Sequence, residues 1–232
     1  MSIASRYWTY AELLAKVQMD LDIEGETFVQ PDEMLGYANE AIDDCERIVK
    51  GVYPDYFLDK DTITLVSSTL EYALPTRCYA HKIRRMIYRN GGEVYTIPRI
   101  KDWRKFETYE VEQTGSGSSH ITGYFILNST AGAPRILFPQ VNVSGAYIQV
   151  WFIRQANRLV ATTDVLDIPE AANYVMQHMK ARAYEKEGHP NLGLALAALG
   201  ALRTDLEGDL AEMIPDADNA LEMDTSFYED MT

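Results

Sequence analysis

The stretch Ala146-Tyr-Ile-Gln-Val-Trp-Phe-Ile153 decides the fold class. It is apolar on both faces of a strand, which is typical of a central strand in a sheet. Other short segments alternate with a period of two and are also predicted as strands: residues 62–65, 70–74, 83–88, 94–97, 124–127 and 135–138. Gly91-Gly92 marks a hairpin turn between two of them. Short strands separated by turns, with no long helices between them, predict an antiparallel sandwich or barrel.

Helical periodicity precedes these strands. Thr9 and Glu12 have the spacing of a capping box, so a first helix is predicted to begin there. Pro31, followed by two acidic residues, favours the start of a second helix, and Gly51 favours its end. The acidic residues of this second helix lie off its apolar stripe and are expected to be solvated.

Helical periodicity also follows the strands. A third helix is predicted after Asp167, which can cap it, and Pro169, which suits a first turn. Gly188 ends that helix, and a fourth begins near Asn191. The fourth helix has an apolar stripe with an average spacing of 3.5, typical of a helix that packs along its length against another. The stripe consists of Leu192, Leu196, Leu199, Leu202, Leu206, Leu210 and Met213.

The order of these segments predicts an α+β protein in four parts. Residues 1–53 and 159–214 form the two halves of a four-helix layer, and residues 54–158 form an inserted antiparallel β-sandwich or barrel. Residues 215–232 form an extended acidic tail that lacks the apolar residues to fold alone. Phe227 and Tyr228 are the candidate anchors of this tail on a partner.

The composition excludes several classes of protein. A net charge of −14 over 232 residues argues against a general nucleic-acid binder, because phosphate contacts need clustered Lys and Arg. Two cysteines without metal-ligand spacing favour a reducing cytoplasm over a disulfide framework. No signal peptide and no apolar run long enough to span a membrane are expected.

No catalytic constellation stands out. The histidines lack a metal-binding pattern, and neither Cys45 nor Cys78 has a base oriented by a third group nearby in the sequence. His81, His120, His178 and His189 are therefore expected to serve packing or the surface. The segment Gly115-Ser-Gly-Ser-Ser119 is predicted as a loop tip and not a phosphate cradle. We expect no catalytic residue, no cofactor and no metal.

One region reverses the acidic balance of the chain. Between positions 77 and 105 there are nine Lys and Arg against Glu93 and Asp102, a local net charge of +7. Such segregation favours a subunit or partner interface, because a head-to-tail oligomer can pair faces of opposite sign. The exposed polar face of a hairpin is the competing interpretation. The candidate interface residues are Arg84, Arg85, Arg89, Arg99, Lys101, Arg104 and Lys105.

Several motifs, taken in order, resemble a known family. They are Thr9-Tyr-Ala-Glu-Leu-Leu14, Leu35-Gly-Tyr-Ala-Asn-Glu-Ala-Ile42, Leu70-Glu-Tyr-Ala-Leu-Pro75, Pro134-Arg-Ile-Leu-Phe-Pro139, Tyr147–Ile153 running into Leu159, and Asp164-Val-Leu-Asp-Ile-Pro169. The chain resembles the head-to-tail connector, or adaptor, proteins of tailed bacteriophages, especially short-tailed ones, also called tubular tail protein A. The resemblance covers residues 9–190 and leaves the last part of the chain outside it.

The resemblance implies a structural protein of the virion and no enzyme. It implies a homo-oligomeric ring of about twelve copies at the portal–tail junction, assembled in the host cytoplasm. The helical layer would dock the portal protein, the β-domain would face the tail tube or nozzle protein, and DNA would pass through the channel without specific binding. A tail-completion or terminator protein is the alternative within this class, and a small phage hydrolase is the alternative outside it.

Overall fold

The computed structural model describes residues 7–21, 29–113, 121–128, 134–141 and 144–214, except the side chains of 110–113. Within these ranges the helices are α1 (Tyr10–Leu21), α2 (Pro31–Val52), α3 (Trp103–Gln113), α4 (Ala172–Glu187) and α5 (Leu192–Glu212). The strands are β1 (Leu58–Thr64), β2 (Glu71–Ala73), β3 (Cys78–Asn90), β4 (Glu93–Thr96), β5 (Phe125–Leu127), β6 (Arg135–Leu137) and β7 (Tyr147–Arg154). The predicted α+β class with antiparallel sheets is confirmed.

The described residues form two compact units. The helical unit contains the described residues up to Pro54 and from Ala156 onward, and the β unit runs from Asp55 to Gln155. In the helical unit, α4 contacts α1, α2 and α5, and α2 also contacts α5. The apolar faces of these helices bury small and medium side chains, among them Leu13, Ala38 and Met179, each with no exposed surface.

Local signals account for the helix ends. The Thr9 backbone N–H donates to Glu12 Oε2 at 2.8 Å, and the Glu12 N–H donates to Thr9 Oγ1 at 3.3 Å. This reciprocal pair confirms the predicted capping box. Gly188 ends α4 with φ +69°, a left-handed conformation that glycine adopts without steric cost.

Asp167 lies two residues before the 3₁₀ turn that leads into α4. Its Oδ2 accepts a hydrogen bond from the Asn157 N–H at 2.9 Å, and the residue at the start of the 3₁₀ turn Pro169–Ala171 is Ile168. The carboxylate therefore holds the chain before α4 in place.

Asn39 on α2 holds the same region of the chain in place. Its side-chain Nδ2 donates to the Leu159 carbonyl, and its Oδ1 accepts from the Leu159 N–H, both at 2.9 Å. The amide thus provides hydrogen-bond partners for both the N–H and the carbonyl of a residue 120 positions away. A neighbouring β-strand would pair with these backbone groups in the same way. Leu159, whose side chain is buried, is fixed against α2 in this way.

The β unit contains two antiparallel sheets with strand orders β1-β7-β3-β4 and β2-β6-β5. β7, the stretch that decided the fold class, lies between β1 and β3, as predicted for a central strand. One hydrophobic core takes side chains from both sheets, including Met86, Ile136 and Ile148, which are fully buried. Gly91-Gly92 forms the turn between β3 and β4, as predicted.

Two expectations about helices were wrong. No helix was predicted between β4 and β5, where α3 lies. The whole apolar stripe of α5 was predicted to pack against another helix, yet Leu196 is 52% exposed and Met213 41% exposed. The buried residues of α5 are Ala195, Leu206 and Leu210, so its first half presents leucine to solvent.

Candidate interaction surfaces

Three of the seven candidate interface cations lie on β3 and already have partners within the β unit. Arg84 Nε lies 2.7 Å from Asp55 Oδ1. Arg85 Nη2 donates to Thr96 Oγ1 at 2.9 Å, and Arg89 Nε donates to Gln149 Oε1 at 3.0 Å. These contacts use part of the hydrogen-bonding capacity of each guanidinium group in holding the sheet together.

The other four cations lie around the start of α3. Arg99, Lys101, Arg104 and Lys105 are all exposed, and none forms an ion pair with a carboxylate among the described residues. Arg99, Lys101 and Lys105 line one groove of about 340 Å³, together with Tyr109. The structure therefore divides the basic patch into an engaged group on β3 and an unengaged group at α3.

The backbone around this groove is held by a short parallel bridge. The Ile100 N–H donates to the Tyr124 carbonyl at 2.8 Å, and the Tyr124 N–H donates to the Pro98 carbonyl at 3.0 Å. A Cβ at Gly123 would lie 2.7 Å from the Ile100 side chain, so glycine permits this close approach. Arg99 is thereby held at the edge of the groove.

The same region presents aromatic side chains. The Asp102 carboxylate caps α3 by accepting the Arg104 N–H at 3.0 Å. Trp103 stacks on the buried Phe106 with ring centroids 5.3 Å apart, yet it remains 45% exposed. Tyr109 is 38% exposed. Trp, Tyr and Arg are the residues that most often dominate protein interfaces.

We name this region the α3 surface, and its members are Arg99, Lys101, Trp103, Arg104, Lys105 and Tyr109. Its four cations were among the predicted interface residues, but its two aromatic residues were not. The available signal was Asp102 as a helix cap, followed by aromatic residues three apart at 103, 106 and 109.

Cys45, His178 and His81 lie on three different elements, α2, α4 and β3. Burial raises the pKa of the Cys45 thiol to about 12, so the thiolate that a nucleophile requires does not form near neutral pH. His178 lies mostly buried on α4, and burial lowers its pKa. His81 lies at an irregular part of β3 with φ +55°. Among the described residues, no group of three or more His, Cys, Asp or Glu side chains could hold a metal ion.

Other candidates lie outside the described residues: Phe227, Tyr228, His120 and the loop tip 115–119. In the described part of the chain, no helix is both long enough and apolar enough to cross a membrane.

One protein family matches nearly the whole chain. The family model of the SU10 adaptor protein covers residues 8–224, from the residues just before α1 to beyond the end of α5. The chain belongs to the SU10 adaptor protein family. Among the curated proteins, none matches the chain.

Membership of the SU10 adaptor family makes the chain a phage adaptor protein with a structural role. The match also extends further than the motifs at residues 9–190 had indicated. It includes α5 and ten residues beyond Ile214.

Proposed function

We propose that this adaptor forms a ring of about twelve copies between the portal protein and the tail tube or nozzle, extending the channel through which DNA leaves the capsid. The observation that carries the proposal is the SU10 adaptor match over residues 8–224. The motif order of the head-to-tail connectors supports the same position at the portal–tail junction of the virion.

The parts of the chain have separate roles in this proposal. The helical layer, residues 1–53 and 159–214, docks the portal, and the inserted β-domain, residues 54–158, faces the tail. The acidic tail 215–232 reaches basic residues of the portal, with Phe227 and Tyr228 as its anchors. Assembly takes place in the host cytoplasm.

The distribution of charge fits a DNA channel. The β unit contains 12 Lys and Arg against 9 Asp and Glu, a net charge of +3, and the rest of the chain contains 9 against 26, a net charge of −17. An acidic channel wall repels phosphate and keeps DNA from adsorbing as it leaves. No step in this function requires a cofactor or a catalytic residue.

The test is to mix the purified adaptor with the portal protein of the same phage. We expect negative-stain images and mass photometry to show portal rings that gain one further ring of adaptor. Portal rings that stay bare while the adaptor binds isolated tail tubes would favour a tail-completion or terminator protein. Adaptor that binds neither would overturn the proposal.

A truncation after Met213 tests the role of the tail. We expect the truncated protein to keep the helical signal of the full chain but to lose most of its attachment to portal rings, because the acids and aromatic anchors are removed. Substituting Phe227 and Tyr228 by alanine, with all acids kept, separates the anchors from the charge. Full occupancy of portal rings by the truncated protein would show that the helical layer docks alone.

A further inference from the structure

A second charged surface lies on α5, in the helical unit. Asp205, Asp209 and Glu212 are exposed, and none of them forms an ion pair with a described residue. Their spacing of four and three places them on one face of the helix over about 10 Å. Met213 and Ile214, 41% and 39% exposed, follow at the end of the helix. We name these five residues the α5 surface.

Each of the two surfaces carries an electrostatic cost within its own helix. Like charges four residues apart destabilise a helix, and Asp205 and Asp209 form such a pair. Lys101, Arg104 and Lys105 lie at the N-terminus of α3, where the positive end of the helix dipole disfavours cations. A partner of opposite charge would relieve both costs.

The two surfaces also match in composition. The α3 surface offers four cations beside two exposed aromatic rings, and the α5 surface offers three carboxylates beside two exposed apolar side chains. We propose that the α5 surface of one copy docks on the α3 surface of a second copy. The carboxylates lie against Lys101, Arg104 and Lys105, and Met213 and Ile214 pack on Trp103 and Tyr109.

This inference deepens the proposed function, because it names the residues through which copies of the adaptor contact one another. The charges of the units favour a protein partner over DNA. Asp102 and Glu107 lie among the cations of α3, and repulsion between the strongly acidic remainder of the chain and phosphate opposes duplex binding. Electrostatic contacts of this kind fix register and partner more than they supply affinity, so the contact is weak and sensitive to salt.

The experiment is a charge swap measured by sedimentation on the full-length protein without portal. K101E/K105E reverses the α3 surface, and D205K/D209K reverses the α5 surface. K60E/K82E is the control for K101E/K105E, because it changes the net charge by the same amount elsewhere in the β unit. We expect wild-type protein to self-associate reversibly at low salt at concentrations up to about 1 mM, and each surface reversal to weaken that association roughly tenfold or more. The control variant associates as wild type does.

Two combinations identify the contact as direct. A chain that carries both reversals regains self-association, because the lysines introduced at positions 205 and 209 then face the glutamates introduced at positions 101 and 105. The two single-surface variants associate when mixed, because one keeps the carboxylates and the other keeps the cations. Failure of both combinations to restore association would overturn the proposal, and so would wild-type protein that stays monomeric.

Two further outcomes are decisive against it. An equal loss in the control variant would show that net charge acts and not these surfaces. Duplex DNA binding by wild-type protein that K101E/K105E abolishes would assign the α3 surface to nucleic acid. Because portal is absent, these outcomes are independent of ring formation on the portal, so this inference and the proposed function can fail separately.

Discussion

The substitution Asn39→Ala should lower the stability of the helical unit by about 2 kcal/mol. It removes two hydrogen bonds of 2.9 Å that hold Leu159 against α2. Each such bond contributes about 0.5–1.5 kcal/mol net, and the partly buried backbone groups of Leu159 lose their partner as well. Alanine is a better helix former than asparagine by about 0.5 kcal/mol, so the net loss of stability is about 2 kcal/mol.

Urea unfolding followed by circular dichroism at 222 nm measures this loss. With a slope of about 2 kcal/mol per molar urea, the midpoint should fall by about 1 M with no change in slope. The matched control is Asn173→Ala, because Asn173 is exposed on α4 and makes no side-chain hydrogen bond to a described residue. Its stability should change by less than about 0.5 kcal/mol.

Asn39→Asp separates hydrogen bonding from helix propensity. At pH 7 the carboxylate keeps an acceptor for the Leu159 N–H but faces the Leu159 carbonyl without a donor, so we expect a loss at least as large as in Asn39→Ala. Below about pH 4 the protonated side chain regains a donor, and part of the difference from wild type should disappear. An Asn39→Ala midpoint within experimental error of wild type would refute this role for the amide.

Four other predictions follow from the separate units, the distribution of charge and the buried groups. Replacing residues 55–157 with a short Gly/Ser linker should leave a soluble helical product that binds portal, and loss of the helical circular dichroism signal would contradict this. The assembled ring should show no measurable binding to duplex DNA at about 0.15 M salt in a fluorescence anisotropy assay, whereas salt-sensitive micromolar binding would contradict an acidic channel. Burial holds the pKa of His178 below its usual 6.5, and Asp44 and Glu40 offset this only in part. The unfolded chain therefore binds the extra proton, and stability should fall as the pH drops below about 6.5. His178→Gln should remove that part of the pH dependence, and Cys45→Ala should cost about 0.5–3 kcal/mol without any effect on assembly.

Most elements of the fold could be predicted because local patterns specify them. The capping box at Thr9, the proline start at Pro31 and the glycine end at Gly188 each act within a few residues, and all three are present in the structure. β7 was predicted as central because it is apolar at nearly every position, and in the structure it pairs with β1 on one side and β3 on the other. Sheet order, in contrast, depends on pairings between distant residues that no local pattern records.

The α3 helix is only weakly indicated by its local pattern, because its stability comes from tertiary packing. It has 11 residues, many of them charged, and only a short aromatic stripe. The helix is held by Phe106, which packs with Ile100 and Leu137 in a cluster that forms only when β6 is in place. Helices of this length are marginal in isolation, so propensity alone does not indicate them.

The division of the basic patch was equally hidden in the sequence. Arg84 and Lys105 look alike in a count of charges, but Arg84 lies beside Asp55 because β3 passes close to the start of β1, while Lys105 lies on α3 with no described carboxylate near enough to pair. A local net charge of +7 therefore overestimates the charge that is available to a partner. Only the arrangement in space identifies the four cations that remain available.

The charges of the two units also bear on the order of assembly. Each helical unit belongs to the part of the chain with a net charge of −17, so neighbouring copies repel one another wherever these parts approach. The α3–α5 contact opposes that repulsion with about three carboxylates and four cations, and exposed pairs of this kind contribute at most about 1 kcal/mol each. We therefore expect free adaptor to populate small oligomers and few closed rings.

A portal ring that binds many copies side by side raises their effective concentration and lets the same weak contact close the ring. Mass photometry of free adaptor should show no peak at the ring mass, while adaptor added to portal should give bare and fully decorated rings with few intermediates. A dominant ring peak in the absence of portal would show that the contact between copies is far stronger than these charges can supply.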